Sequence, residues 1–496
     1  MPPTPESFEA APGRLLRALL WVTLVLLAGG FVFLAVWRRL NFDEALALRA
    51  GWLLVHGVPA EPPFHMPMVY ALGWLGTLVA DPGVVFLVGR LVVVVSVLGL
   101  LAWALAPFTR PTTLGVAILL ALSQATFVVH GLEFRYDWAL LVGWLAAHRL
   151  VLKNRFQGYF GLGLIAAWLA AHHLKGLYLA VALTLMVAVA AGVSSVDRGR
   201  RFGRFCWGAA VGALVWVGVS YALRLGRELG SVYPVFLDLS RAADYRMPLW
   251  DALGDALWRD AGWWLGASSA VVATAIGILR SRRRWQQPEI WMLAFAVVPL
   301  GLLLVHPRPW AYMLALPAPF LALLMARQLV SLARAMDARA VAVVVAATLA
   351  IHFGATRSLP WIAYADSIAA PRAQQVETLR LLRSQSLAGD RIIDPSGMAY
   401  FLPPCTREWY LDSLFEILAD KGVWMRELGE VELADCRWLL NTYRVSWLPD
   451  PTLERLQREY TLVPGGGGLA LRAGDPLLTA VPPWRPLTHT GLESFW

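Results

Sequence analysis

The sequence predicts a polytopic α-helical membrane protein with about eleven transmembrane helices and a small C-terminal α/β domain outside the cytoplasm. Of its 496 residues, 58% are hydrophobic and 16% are charged, whereas a typical soluble domain has about 25% charged residues. Apolar runs of about twenty residues recur from Leu15 to about Thr356, and each matches the roughly 30 Å of hydrocarbon that a helix must cross.

A change of composition divides the chain into two domains. From about Arg357 onward, acidic residues appear among prolines and glycines, and the long apolar runs stop. We therefore expect a transmembrane domain at 1–356, with a first external loop at 38–65, and a soluble domain at 357–496.

Basic clusters predict the orientation of the chain. Arg14 and Arg17, the segment 197-DRGRRFGR-204 and the segment 280-RSRRR-284 are typical of cytoplasmic span ends. The N-terminus is then cytoplasmic, and the plasma (inner) membrane is crossed several times before the external C-terminal domain. The formal net charge of +9 is explained by this topology and by lipid headgroups. We expect no nucleic-acid partner, because no arginine-rich tail or aromatic and basic platform occurs.

The apolar runs near the N-terminus need individual interpretation. Leu15–Trp37 is long and lacks a following A-x-A-like cleavage site, so we interpret it as a first span rather than a signal peptide. Between 66 and 106 we favour one crossing at about 84–106, with 66–80 as an interfacial or half-buried helix. A short re-entrant pair is the alternative.

The later spans alternate between the two sides of the membrane, with an external loop at about 226–260. We expect them at 114–130, 138–152, 158–171, 180–192, 205–225, 261–279, 290–305, 311–329 and 340–354.

The C-terminal domain has the pattern of a small α/β unit. Helical spacing occurs at Val376–Ser386, and the tetraglycine 465-GGGG-468 predicts a hairpin turn rather than a phosphate loop, since no Lys-Ser or Lys-Thr follows it. Short strands are expected at Arg391–Ile393, Arg437–Leu440, Thr461–Val463 and Leu469–Arg472. Cys405 and Cys436 could form a disulfide in an external compartment or remain free thiols.

Ionisable residues gather on the predicted external side. Such residues are costly at membrane depth, so their gathering at one face indicates a functional site. Arg90 lies in the outer third of its predicted helix and could extend its side chain to the same face. The others are Asp43, Glu44, Glu61, His65, Glu133, Arg135, Asp137, His172, His173, Lys175, His306 and Arg308.

The adjacent Asp43 and Glu44 are the candidate acid–base residues. Neighbouring residues on a helix point about 100° apart, so one could act as a general base while the other makes structural hydrogen bonds. The alternative is that both begin a surface helix, because acidic residues are favoured in a first turn.

The cations near them are candidate phosphate ligands. Lys175 and Arg308 lie at outer span ends, where ordinary interfacial anchoring is the alternative. Arg135 and Asp137 could bind a phosphate or a sugar, or could pair with each other. No metal-ligand spacing occurs, so we assign no metal site, although carboxylates and His65 near a phosphate are compatible with a divalent cation.

The order of these features resembles the polyprenyl-phosphate-sugar-dependent transferases of the GT-C fold, which include the protein O-mannosyltransferases and the aminoarabinose transferase of lipid A. The acidic pair matches the family's first external loop. The further matching elements are 57-GVP-59, 65-HMPMVY-70, Arg90 with Leu91, Arg135 with Asp137, Lys175 with Gly176, and Arg308 to Pro317, which contains Tyr312.

This resemblance implies an inverting glycosyltransferase that moves a hexosyl or pentosyl group from a polyprenyl-phosphate donor to lipid A, a glycan, a protein or another lipid. It implies that Asp43 is the base, supported by Glu44. The implied donor-phosphate ligands are Lys175, Arg308, Arg90 and Arg135. The implied substrate-binding residues are His65, Glu61, Asp137, Glu133, His173 and Tyr312.

Two other classes of function remain. A lipid or glycan transporter would show internal repeats and ionisable residues near the middle of the membrane, and no clear repeat occurs here. A non-catalytic component of envelope polysaccharide assembly would leave the acidic pair dispensable.

Overall fold

The computed structural model describes most of the helical part of the chain and a compact part of the C-terminal region. The described residues are 14–58, 67–106, 111–131, 133–153, 156–172, 174–193, 198–222, 247–280, 288–307, 309–335, 370–405, 433–442, 444–445, 450–463 and 467–477. The expected span at 340–354 lies outside them.

The described part of the first half of the chain is mostly helical. Its helices are α1 (Arg14–Trp37), α2 (Phe42–Val55), α3 (Pro67–Leu78), α4 (Pro82–Leu105), α5 (Pro111–Ser123), α6 (Ala125–His130), α7 (Tyr136–Lys153), α8 (Phe156–His172), α9 (Leu174–Val193) and α10 (Arg198–Ala222). After a gap follow α11 (Leu249–Arg259), α12 (Ala261–Arg280), α13 (Pro288–Val305), a 3-10 helix (Ala311–Ala315) and α14 (Ala318–Ala335).

The apolar helices agree with a membrane protein, although not with a full set of long spans. Among the described residues, three helices are long and apolar enough to cross a membrane: α4, the Gly199–Val219 part of α10, and α12. The pair Leu24–Trp37 and Phe42–Val55, bent by 64°, raises this number to four if it forms one broken span. The predicted number of about eleven spans is therefore not confirmed in the part of the chain that the structure describes.

Two expected spans are broken. The run at 114–130 divides at Gln124, whose side chain accepts the N–H of Phe127 and so begins α6. The N–H groups of the first two residues of α6, Ala125 and Thr126, donate to the buried carboxylate of Asp260 at 3.2 and 3.5 Å. The run at 311–329 divides at Pro317, because proline lacks the N–H that a continuous helix needs.

Helix α2 begins with the capping box of Asn41 and Glu44. The side chain of Asn41 accepts the N–H of Asp43 at 2.9 Å, and the Glu44 carboxylate accepts the N–H of Asn41 at 3.3 Å. Farther along, α2 crosses α3 at two glycines. A Cβ on Gly51 would lie 1.9 Å from the carbonyl oxygen of Val69, so only glycine permits this crossing.

The C-terminal region forms a four-stranded sheet in the order β1-β2-β4-β3, with β1 and β2 parallel and the other pairs antiparallel. Its elements are α15 (Ala370–Gln385), β1 (Ile392–Ile393), β2 (Trp438–Leu440), α16 (Asp450–Glu459), β3 (Tyr460–Leu462) and β4 (Leu469–Arg472). The predicted strands are thus confirmed to within a residue or two, whereas α16 was not predicted.

The glycine turn and the cysteines complete this region. Gly467 and Gly468 have φ values of 54° and 90° in the β3–β4 hairpin, a backbone conformation that favours glycine. Cys405 and Cys436 form a disulfide, which decides between the two alternatives that the sequence left open.

A buried ion pair joins the C-terminal region to α2. Arg49 of α2 lies 3.2 Å from the Asp394 carboxylate, and neither side chain is exposed. The Asp394 carboxylate also accepts the N–H groups of Ser396 and Ala399, at 3.0 and 2.7 Å. The segment that follows β1 is therefore fixed against the helix that begins at the acidic pair.

We predict that Asp394→Asn destabilises the protein by about 3–5 kcal/mol, because it leaves the Arg49 charge buried without its partner. Thermal and denaturant unfolding of the purified full-length protein measures this loss. The control is Arg380→Ala, which removes a partly exposed pair with Asp81 and should cost about 0.2–1 kcal/mol. Equal losses for the two variants would contradict the structural role of the buried pair.

Candidate active site

The two adjacent carboxylates at the start of α2 point in different directions. Asp43 is partly exposed, and its Oδ2 lies 2.9 Å from Nη2 of Arg135. Glu44 is completely buried and accepts Nε–H of Arg90 at 2.9 Å. Asp43 is therefore the member of the pair that an acceptor molecule can reach, while Glu44 holds the start of the helix through Asn41 and Arg90.

Arg90 supports the turn between α1 and α2. It is 1% exposed and donates to the carbonyl oxygens of Arg38 and Arg39, both at 2.7 Å, in addition to Glu44. The Arg90 guanidinium is therefore enclosed by acceptors of the protein, and its role as a donor-phosphate ligand stays a prediction. Glu44, one helical turn from Asn41, faces α4, and its carboxylate neutralises the charge of Arg90.

Arg135 is the central cation of the site. Its guanidinium nitrogens lie 2.9 Å from Asp43, 3.2 Å from Glu133 and 3.9 Å from Asp137. Its Cζ lies 3.9 Å from the ring centroid of Tyr312, a cation–π contact. Burial alone would lower the pKa of Arg135, but the carboxylates of Asp43 and Glu133 hold that pKa well above its ordinary value.

Glu133 is the buried anchor of this cluster. It accepts hydrogen bonds from Asn41 at 2.6 Å and from Arg135 at 3.2 Å, pairs with Arg38 at 2.7 Å, and lies 3.1 Å from Nδ1 of His130. Burial would raise its pKa, but Arg38, His130 and Arg135 hold the pKa well below the ordinary range. Glu133 is completely enclosed and contacts Arg135, and its role in substrate binding stays a prediction.

Lys175 extends the cluster to α9. Its Nζ donates to Asp137 and to the hydroxyl of Tyr312, both at 2.9 Å, and lies 4.3 Å from the Tyr312 ring centroid. The next residue, Gly176, packs on the carbonyl oxygen of Leu169, where a Cβ would lie at 1.9 Å. The Lys-Gly pair therefore lets α9 approach α8 closely enough to bring the ammonium into the site.

These contacts form a row of alternating charges: Asp43, Arg135, Asp137, Lys175. A small cavity of about 30 Å³ lies beside the row, and its polar lining comes from His130, Arg135, Asp137, Lys175 and Tyr312.

A larger apolar groove of about 840 Å³ begins at Lys175 and runs between α9 and α13. It is lined by Leu177, Tyr178, Val181, Met247, Leu249, Leu302, Leu303, Leu304, Val305, His306, Pro307 and Pro309. One buried cation is thus shared between a row of charges and a long apolar surface.

Some predicted site residues lie in parts of the chain that the structure does not describe, and one residue of the site was not predicted from the sequence. Glu61, His65, His173 and Arg308 lie outside the described residues. His130, which contacts Glu133 and Tyr312, was interpreted only as the end of a span. Its position three residues before Glu133 is the signal that could have found it.

Within the described residues, no three His, Cys, Asp or Glu side chains are arranged to hold a metal ion. The carboxylates of the cluster face the Arg135 guanidinium instead, and we assign no cofactor to the site.

Comparison with known proteins gives similar structures only. No family model and no curated protein matches the chain. One similar structure is the archaeal oligosaccharyltransferase AglB from Archaeoglobus fulgidus in complex with an inhibitory peptide and a dolichol-phosphate. Its TM-score is 0.42 and its identity 14%, over 94% of this chain and 75% of that chain.

Two other structures of the A. fulgidus oligosaccharyltransferase are similar as well. The form tethered to an acceptor peptide with the NVT sequon has a TM-score of 0.40 at 14% identity, over 90% of this chain and 72% of that chain. The apo form has a TM-score of 0.43 at 14% identity, over 91% and 73%. Because the identities and TM-scores are this low, the function is proposed below from the geometry of the site alone.

We predict that Glu133→Gln lowers the free energy of unfolding at neutral pH by about 3 kcal/mol or more, because Arg38 and Arg135 lose a buried counter-charge. The folded-state pKa of Glu133 is depressed, so its stabilisation is fully present above the unfolded pKa of about 4.3 and is lost as pH falls toward the folded-state pKa. Unfolding measured from pH 7 to pH 3 should therefore show a weaker acid dependence in Glu133→Gln than in the wild type.

The matched control for this prediction is Glu459→Gln, which removes a partly exposed carboxylate paired with Arg455 and Arg472. It should cost less than about 1 kcal/mol. An acid dependence that is identical in wild type and Glu133→Gln would contradict the anchoring role.

Proposed function

We propose that the protein is an integral-membrane glycosyltransferase that moves a sugar from a polyprenyl-phosphate donor to an acceptor hydroxyl with inversion of configuration. The observation that carries this proposal is the apolar groove that begins at Lys175, where a row of charges leads to Asp43. A lipid chain suits the groove, a phosphate suits the buried cations, and a carboxylate stands at the other end of the row.

The proposed arrangement places the reaction outside the cytoplasm of a multi-pass plasma-membrane protein whose N-terminus is cytoplasmic. Region 1–356 would be the transmembrane catalytic domain, and 357–496 an external domain. The acceptor is a hydroxyl-bearing lipid A, glycan, protein or lipid.

Donor binding would exchange one set of ion pairs for another. In the free protein, Asp137 and Asp43 neutralise Lys175 and Arg135, which avoids leaving buried cations unpaired. A donor phosphate would compete for the same N–H groups, since charge-assisted hydrogen bonds to phosphate oxygens are as favourable as those to carboxylates. The exchange would release Asp43 from Arg135 at the moment when a base is needed.

The chemical step is a single displacement. The Asp43 carboxylate accepts the proton of the acceptor hydroxyl, and the hydroxyl oxygen attacks the anomeric carbon. The bond from that carbon to the phosphate oxygen breaks, and its electron pair leaves with the lipid phosphate. Lys175 and Arg135 stabilise the negative charge that develops on the phosphate.

We predict that Asp43→Asn lowers sugar transfer by about 10²–10⁴-fold while the protein still folds and binds donor. The assay measures transfer from polyprenyl-phosphate sugars by protein reconstituted in liposomes. The matched control is Asp251→Asn, an exposed aspartate of α11, which should retain activity. Full activity of Asp43→Asn would remove the base assignment. Lipid movement without any sugar transfer in the wild type would favour a transporter instead.

We predict that Lys175→Ala raises the donor KM more than it changes acceptor preference. Lys175→Arg should recover part of the donor affinity, because arginine keeps the positive charge but differs from lysine in the geometry of its donors. Steady-state kinetics with varied donor gives the KM. Arg200→Ala, which removes an exposed cation of α10, serves as the control for general charge effects. An unchanged donor KM in Lys175→Ala contradicts the assignment of the phosphate to this end of the groove.

A further inference from the structure

His130 is held at the edge of the site by contacts on two sides. It is the last residue of α6, whose first turn is capped by Gln124 and Asp260. Its Nδ1 lies 3.1 Å from the Glu133 carboxylate, and its ring meets Tyr312 edge to face with centroids 5.9 Å apart. The side chain is 21% exposed and lines the small cavity beside the row of charges.

The contact with Glu133 determines which ring nitrogen faces a ligand. A carboxylate that accepts Nδ1–H fixes the orientation and the tautomer of an imidazole and stabilises its protonated form. Glu133 can do this because Arg38 and Arg135 keep it charged although it is buried. Nε2 is then the ring atom available to a molecule in the cavity.

The leaving group of the proposed reaction can take a proton as it departs. The donor is a phosphodiester with one negative charge, and the departing lipid phosphate gains a second on the oxygen that was bonded to the sugar. Lys175 and Arg135 stabilise this charge in the proposed step, after the phosphate has displaced the carboxylates that they contact in the free protein. A group that gives a proton to the departing oxygen removes the new charge altogether.

We propose that His130 is a further catalytic residue, a general acid whose Nε2–H protonates the departing phosphate oxygen while Glu133 holds its Nδ1. This inference rests on the proposed function. The acceptor oxygen bonds to the anomeric carbon, and its proton goes to Asp43. The bond from that carbon to the phosphate oxygen breaks, its electron pair stays on that oxygen, and the oxygen takes the proton of His130. Proton exchange with water then deprotonates Asp43 and reprotonates His130.

The surroundings of His130 and Asp43 agree with separate roles as general acid and general base. The small cavity is lined by His130, Lys175 and Tyr312, whereas Asp43 contacts the Arg135 guanidinium and does not line it. The proposed acid and the proposed base are thus different side chains with different contacts, His130 with Glu133 and Tyr312 and Asp43 with Arg135. The charged or titratable groups that face His130 are Glu133 from its own loop, Arg135 and Asp137 from the start of α7, Lys175 from α9 and Tyr312 from the 3-10 helix.

The test uses the full-length protein in liposomes with a polyprenyl-phosphate sugar, and two variants. His130→Gln keeps a hydrogen-bonding side chain, and His130→Phe keeps the ring against Tyr312. We expect kcat to fall about 10²-fold or more in both variants, while the donor KM changes by less than about three-fold. The control is His56→Gln at the C-terminal end of α2, where the ring stacks on Trp52 instead of the site.

The pH profile separates an acid from a purely structural residue. A general acid must carry its proton, so the wild-type kcat profile is expected to have an alkaline limb that is absent in His130→Gln. An alkaline limb that stays unchanged in His130→Gln, a limb lost on the acidic side instead, or a change confined to the donor KM would each overturn the proposal.

The result for Asp43 distinguishes the two proposals. If Asp43→Asn is inactive and both His130 variants keep wild-type kcat, the inference fails and the transferase stands. If neither Asp43→Asn nor the wild type transfers sugar, the proposed function itself fails.

Discussion

Four donors from different parts of the chain converge on the buried carboxylate of Glu133. Arg38 comes from the end of α1, Asn41 from the cap of α2, His130 from the end of α6, and Arg135 from the start of α7. A buried carboxylate needs such partners, because an unpaired charge in a low-dielectric interior is strongly unfavourable. The rest of the site depends on this convergence, since it sets Arg135 between Asp43 and Tyr312 and turns His130 toward the cavity.

The row of alternating charges explains how a buried site can bind an anion without being strongly positive when empty. Arg135 and Lys175 remain inside the protein because Asp43 and Asp137 offset their charges. In our proposal the donor phosphate replaces carboxylates instead of filling an unneutralised pocket, so the cost of desolvating the cations is met during folding and not during binding. The same exchange would couple donor binding to the release of the base.

The sequence predicted many residues of this site but not the contacts of its buried members. It singled out Asp43, Arg135, Asp137, Lys175 and Tyr312, which the structure brings into contact, and their catalytic roles remain predictions. Sequence spacing could not decide which acidic residue pairs with which cation, because that choice is made by tertiary packing. Glu44 therefore proved to face Arg90, and Glu133 proved to be enclosed. The strands near the tetraglycine were predictable because their pattern is local, whereas the Arg49 and Asp394 pair joins residues 345 positions apart.

Helix α2 is fixed by contacts at three places along its length, and it carries Asp43, the proposed base. Glu44 and Arg90 hold its first turn, the ion pair of Arg49 holds its middle, and the glycine crossing with α3 holds its last turns. A base is most effective when its position is set before the substrate arrives, because no reorganisation is then needed in the transition state. The C-terminal region supplies Asp394 and with it one of these three constraints. It is therefore part of the support of the candidate active site, whatever acceptor its outer surface meets.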